Sequence, residues 1–254
     1  MTTTGTTSAS STRVSLRDLS EAAFRALTAH GASHGEARAA ARMVLQAELH
    51  GGGGLAALRD DLAAQPWSRT PVEIVETADG PNHQPGAVEL RSPGGNRLLR
   101  EAPLAVELVA SGGEERVVTA HCAVAGTALL DAVLLEAARV SGNAVALVIG
   151  SATGSDGTGR GATQPSAQVR LARPDGSLGF GILSQLPTAW PPAAEGEGVV
   201  ALRELEQLGG LDLSWTSAND LTQARAEAAA VGVTVDATAW NTVYTASRRY
   251  LVPD

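Results

Sequence analysis

Apolar positions recur at helical spacing from the start of the chain. Leu19, Ala22, Ala23 and Leu27 share one face, Ser15 stands ahead as a capping residue with Asp18 in the first turn, and Gly31 supplies a stop. Ser33-His-Gly-Glu36 is a capping box and opens a second helix reaching about Leu49. The run Gly51–Gly54 breaks it, and Leu55 to Ala64 follow as a third, shorter helix. From Val72 the period shifts towards that of strands. Ala87–Arg91, Ser92-Pro-Gly-Gly-Asn96 and Arg97–Leu99 predict one hairpin; Leu104–Ala110, Ser111–Glu115 and Arg116–His121 predict a second; Ala167–Ala172, Pro174-Asp-Gly176 and Ser177–Ile182 predict a third.

Between the second and third hairpins lies the stretch on which the rest is organised. Thr127 to Val140 carries only Thr127, Asp131, Glu136 and Arg139 as clearly polar residues, a pattern that predicts a helix buried on nearly every face. Gly142 ends it, and Ala144–Ile149 reads as a buried strand. Beyond the Pro/Gly-rich loop Leu183–Gly198, Val199–Leu202 and Leu211–Trp215 are short strands. Asn219-Asp220 caps a helix to about Val231, and Asp236 caps a last one carrying Trp240, Tyr244, Arg248, Arg249 and Tyr250. The sum is an α+β fold: antiparallel hairpins around a buried central helix, with an N-terminal helical layer and C-terminal helices. Its expected divisions are a disordered tail over 1–13, the helical layer over 14–66 and the α+β core over 67–254.

Composition narrows the chemistry. The 254 residues are 44% hydrophobic but only 3% aromatic, so the core is built from Ala, Val and Leu. A net charge of −8 with scattered arginines argues against nucleic acid, and no run approaches the roughly 20 apolar residues of a membrane span. The first residues lack the charged start and apolar run of a signal peptide, which with a single cysteine points to the cytoplasm. All 19 basic residues are arginine. The lack of lysine excludes pyridoxal-phosphate attachment, Schiff-base chemistry and a Walker A lysine, and such usage points to a high-GC bacterial source.

Candidate chemistry gathers in the glycine-rich breaks. His121 is a candidate general acid or base, whereas Cys122, on the opposite face of the strand, is read as a packing residue. The loop Gly154-Ser-Asp-Gly-Thr-Gly-Arg-Gly161 follows the buried strand but fits neither GxGxxG nor GxxxxGK. Its bland reading is a flexible connection; its functional reading makes Asp156 a base or orienting group. In that reading Ser151, Gly154 and Arg160 line a cofactor or anion site. His30, His34 and His50 lie at ends of the first two helices, where no acid or cysteine completes a metal set, so no metal is expected. Arg248 and Arg249 read as solvated helix-end charge.

Three segments carry a resemblance: residues 14–54 with their two capped helices ending in glycines, HCAVAGTALLDAV over 121–133, and WNTVYTASRRYLVP over 240–253. They are similar to an uncharacterised bacterial family, domain of unknown function 3726. A more distant resemblance is to the malate/L-lactate dehydrogenase-like family, nicotinamide-dependent oxidoreductases without a Rossmann fold. There a helical N-terminal region leads to a Ser-His-Gly motif, and a later strand ends in a Ser-Asn-His-Phe-Gly-like motif. Here these places read Gly51-Gly-Gly-Gly-Leu-Ala56 and Ser151-Ala-Thr-Gly154, so both motif histidines are missing. The resemblance implies NAD(P) as cofactor, and the missing motifs count against it.

Two functions are therefore expected. One is a bacterial cytoplasmic enzyme acting on a small carboxylated metabolite, derived from a nicotinamide-dependent oxidoreductase fold. The other is a non-catalytic accessory subunit that binds a ligand or a partner enzyme. A homodimer is compatible with either.

Overall fold

The computed structural model describes residues 10–76, 88–93, 95, 97–111, 117–120, 127–151, 167–183, 197–202 and 212–251. Strand β1 (Ser11–Val14) leads into helices α1 (Leu16–Ala29), α2 (His34–His50) and α3 (Gly54–Ala63). Strands β2 (Glu73–Glu76) and β3 (Val88–Arg91) precede α4 (Leu98–Ser111) and β4 (Val117–Ala120). A 3-10 turn at Thr127–Leu130 runs into α5 (Asp131–Ser141), followed by β5 (Val145–Ser151), β6 (Ala167–Ala172), β7 (Leu178–Leu183), β8 (Glu197–Leu202) and β9 (Ser214–Thr216). Helix α6 (Ala218–Val231), strand β10 (Val233–Asp236) and helix α7 (Ala237–Arg248) complete the described chain.

Local sequence dictates the first layer. Ser15 accepts from the Asp18 N–H at 3.1 Å to start α1. At α2 the Ser33 hydroxyl accepts from Glu36 N–H at 3.3 Å while the Glu36 carboxylate accepts from Ser33 N–H at 2.9 Å, the reciprocal box that the sequence spells. Helix α1 packs on α2 and α7, and β1 pairs antiparallel with β10, so the two ends of the described chain meet in this layer. Helix α3 lies against α2 through Gly54, where an added Cβ would stand 2.3 Å from the Val44 carbonyl oxygen. No helix among the described residues is long and apolar enough to cross a membrane.

The described strands of the second part form an eight-stranded sheet in the order β2-β3-β4-β8-β5-β6-β7-β9. Neighbours are antiparallel except β3 and β4, which run parallel. The class is α+β, and the third expected hairpin is β6–β7, with Ala167 opposite Leu183 and Ala172 opposite Leu178.

The first two expected hairpins are replaced by one crossover, β3-α4-β4. Parallel neighbours cannot be joined by a tight turn and need such a connection. Residues 98–110 belong to a helix because their apolar positions, Leu98, Leu99, Ala102, Ala105, Val106 and Val109, fall three and four apart and all are buried. Pro103 inside α4 and the buried Arg100 and Glu101 disguise that period. Helix α5 buries one face rather than all: Asp131, Leu134 and Ala138 are inside, while Glu136, Arg139 and Val140 face outward.

Candidate functional site

Where α2 ends, α5 begins and β6 passes beneath, a buried polar cluster interrupts the aliphatic core. Gln46 and His50, four residues apart, lie on the same face of the last turns of α2. Asp131 is the first residue of α5, set there by the 3-10 turn before it, and its side chain is 0% exposed. Arg170 stands on β6 opposite Phe180 of β7, its guanidinium 5.1 Å from the centre of that ring.

The contacts form a chain. Arg170 Nη1 donates to both Asp131 oxygens, at 2.7 Å to Oδ1 and 2.9 Å to Oδ2. Asp131 Oδ2 is 3.3 Å from His50 Nδ1, and His50 Nε2 is 2.6 Å from the side-chain nitrogen of Gln46. The His50 and Arg170 side chains are only 7% and 14% exposed. A carboxylate that gives up water needs its charge and its lone pairs met, and these partners meet them. A carboxylate holding one imidazole nitrogen while the other faces away is also the arrangement by which a protein orients a histidine for proton transfer.

The adjoining glycine turn leads into a helix start that is already capped. Gly52 and Gly53 take positive φ to bring the chain round, and Glu48 Oε1 accepts from Leu55 N–H at 2.7 Å, capping α3 in place of the side chain that Gly53 lacks. Burial pushes the Glu48 carboxyl above its usual range; the Leu55 and Gly54 N–H bonds pull it back in part, and nearby Asp236 adds to the rise.

A second buried cluster fastens the segment after α3. Asp61 accepts from Trp67 Nε1 at 2.7 Å and from Arg97 Nη1 at 2.8 Å, and Arg100 donates to Glu36 at 2.8 Å and to the Thr70 carbonyl at 2.7 Å. Glu101 is fully buried beside Ser92 and accepts from Arg97 N–H at 3.2 Å. Burial raises its carboxyl, and Ser92, the Arg97 amide and the Arg100 charge offset this only partly. Every group here ties one element to another, so the cluster is architectural.

Of the residues singled out from sequence, His121, Asp156, Gly154 and Arg160 lie outside the described residues, as does Cys122. Ser151 ends β5 with its backbone paired to Glu197 of β8, and its side chain lies outside the description. Among the described residues no group of three or more His, Cys, Asp or Glu side chains gathers as metal ligands. By sequence His50 is only a helix-end histidine, and Gln46 and Arg170 belong to no motif. Two signals pointed to the cluster. Asp131 is the one charged residue on the buried face of its helix, and Arg170 is a lone charge between the buried Val169 and Leu171 of a core strand. A charge in such a place requires a partner.

No family model matches the sequence and no curated protein matches it, so the resemblance to domain of unknown function 3726 rests on the three segments quoted above. Solved structures do match. The malate dehydrogenase from Pyrococcus horikoshii OT3 is similar at a TM-score of 0.63 and 10% identity, over 100% of this chain and 99% of that one. A dehydrogenase from Sinorhizobium meliloti is similar at 0.60 and 13% identity, over 94% of this chain and 100% of that one. The sulfolactate dehydrogenase from Methanocaldococcus jannaschii gives 0.59 and 10%, over 95% and 98%. At such identities the likeness defines the fold: this chain has the fold of the malate, lactate and sulfolactate dehydrogenase-like proteins.

Proposed function

We propose that the chain is a bacterial, cytoplasmic enzyme acting on a small carboxylated metabolite, in which His50 handles the proton and Asp131 orients it. The observation that carries the reading is the position of that imidazole. It stands one residue before Gly51–Gly54, the place where the dehydrogenase-like resemblance expects a Ser-His-Gly motif, and Asp131 holds its Nδ1 at 3.3 Å. Arg170 balances the Asp131 charge, so that the carboxylate orients the ring without leaving a bare charge in the core. His121 and Asp156 remain candidates for a second acid or base, and Ser151, Gly154 and Arg160 for the cofactor or anion end. Membership of domain of unknown function 3726 and the bacterial source belong to this proposal, on the strength of the quoted segments and the lysine-free composition.

The fold supports NAD(P) as cofactor, but the described residues do not fit a dinucleotide at the glycine turn. The α3 N-terminus there, where a phosphate would seat, already holds the Glu48 carboxylate. What the residues supply is a proton, given or taken at an imidazole nitrogen.

A second reading, a non-catalytic ligand- or partner-binding subunit, is favoured by one observation: the His50 ring is nearly closed off and both its nitrogens are engaged within the chain. A thermal-shift titration separates the two. With malate, sulfolactate and the four nicotinamide forms in turn, a specific ligand at ~100 times its dissociation constant stabilises by about 2.7 kcal/mol. That is several degrees at ~2–4 °C per kcal/mol for a chain of this size. A shift with a carboxylate that the chain also turns over supports the enzyme, and a shift without turnover supports the subunit. No shift with any of them, together with co-purification of an enzyme that depends on this chain, supports the subunit.

A further inference from the structure

We infer that Gln46 is a positioning residue that caps the bare Nε2 of His50 in the tautomer that Asp131 sets, protonated on Nδ1. Asp131 Oδ2 can only accept, and at 3.3 Å it faces Nδ1, which therefore carries hydrogen. The Gln46 amide nitrogen can only donate, and at 2.6 Å it faces Nε2, which therefore offers its lone pair. The two residues reach the ring from different elements, α2 and α5, so the pattern is imposed from both sides. The other charged group against the carboxylate, Arg170 of β6, donates to both its oxygens and leaves it an acceptor towards the ring.

Gln46 has a further property that Asp131, the ring's other hydrogen-bond partner among the described residues, lacks. Its amide carries a donor and an acceptor on one rotatable group, so a half-turn presents oxygen instead of nitrogen to Nε2. In one orientation it holds a bare Nε2; in the other it accepts from a protonated one. Gln46 thus occupies the place where a substrate oxygen would exchange a proton with His50, and it can satisfy the ring before and after that exchange. This catalytic consequence rests on the reading of His50 as the proton-handling group; the tautomer does not.

The test is long-range proton–nitrogen correlation NMR of the imidazoles in the full-length, nitrogen-labelled chain. Among the five histidines, His50 is identified by the signal lost in His50→Asn. The expected wild-type pattern is a single proton on Nδ1. Gln46→Glu, whose carboxylate can only accept, should turn His50 into the doubly protonated pattern, and Gln46→Leu should move the Nε2 resonance while Nδ1 keeps its proton. Circular dichroism and a thermal melt confirm that each variant is folded. A proton on Nε2 alone in the wild type, or a Gln46→Glu spectrum identical to wild type in a folded protein, overturns the inference. Failure of the enzymatic reading is distinguishable: it appears as absent turnover with the Nδ1–H pattern intact.

Discussion

Asp131 is the residue on which the buried cluster depends. Its carboxylate is wholly enclosed and serves Arg170 and His50 together. Asp131→Ala leaves the Arg170 charge without its carboxylate in a site that is only 14% exposed, and removing one partner of such a pair costs about 3–5 kcal/mol. Chemical denaturation should show that loss, whereas breaking the outward, solvent-screened pair Arg139–Glu136 should leave the unfolding midpoint nearly unchanged. Glu48 and Glu101 set a pH dependence. Burial raises both carboxyls above the ordinary value of 4.5, so the folded chain holds their protons more tightly than the unfolded chain. Their contribution is fully present below that value and is lost as pH rises through the folded pKa. Glu36 works in reverse: burial would raise it, but hydrogen bonds from Ser33 and Arg100 outweigh that and lower it, so its contribution is lost as pH falls. Melting curves across this range should fall less steeply towards neutrality in Glu101→Gln than in wild type; parallel curves would contradict the assignment.

Helix α2 was legible from its sequence and α4 was not, and the contrast has a physical cause. Ser33 and Glu36 satisfy each other's backbone donors within four residues, so the start of α2 is a local event. Ser33→Ala should accordingly cost about 1 kcal/mol in thermal denaturation. Helix α4 is decided by distant partners. Its buried Arg100 is tolerated because Glu36 and the Thr70 carbonyl receive it, and Arg97 just before it because Asp61 does. Read without those partners, the two arginines, Glu101 and Pro103 break the apolar period and suggest turns and strands. The candidate site was hidden for the same reason: Gln46, His50, Asp131 and Arg170 come from three elements, and only folding brings them together. The glycine run, by contrast, was plain as a break, though not its packing role. Gly54→Ala would set a Cβ 2.3 Å from the Val44 carbonyl and force α3 away from α2, a cost of about 1–3 kcal/mol in the same assay.

Across the whole molecule, the ends of the chain are tied by β1 and β10, with Val14 buried against the helical layer. Deleting residues 1–14 should destabilise the fold by about 2 kcal/mol from the loss of Val14 burial alone, read as a lowered unfolding midpoint. The likeness to dehydrogenases extends over nearly the full length of both chains, so the overall fold is a shared framework, while the identities of 10–13% leave the chemistry to this chain's own residues. The central claim is that His50 moves a proton on a carboxylated metabolite. Steady-state rates with malate, sulfolactate and related 2-hydroxy and 2-oxo acids, each with the nicotinamide forms, should show turnover by the wild type. His50→Asn should lower that rate by at least ~100-fold with the unfolding midpoint retained, the usual range for a lost general acid or base. An unchanged rate in folded His50→Asn, or no turnover by the wild type with any of these acids, would contradict the account.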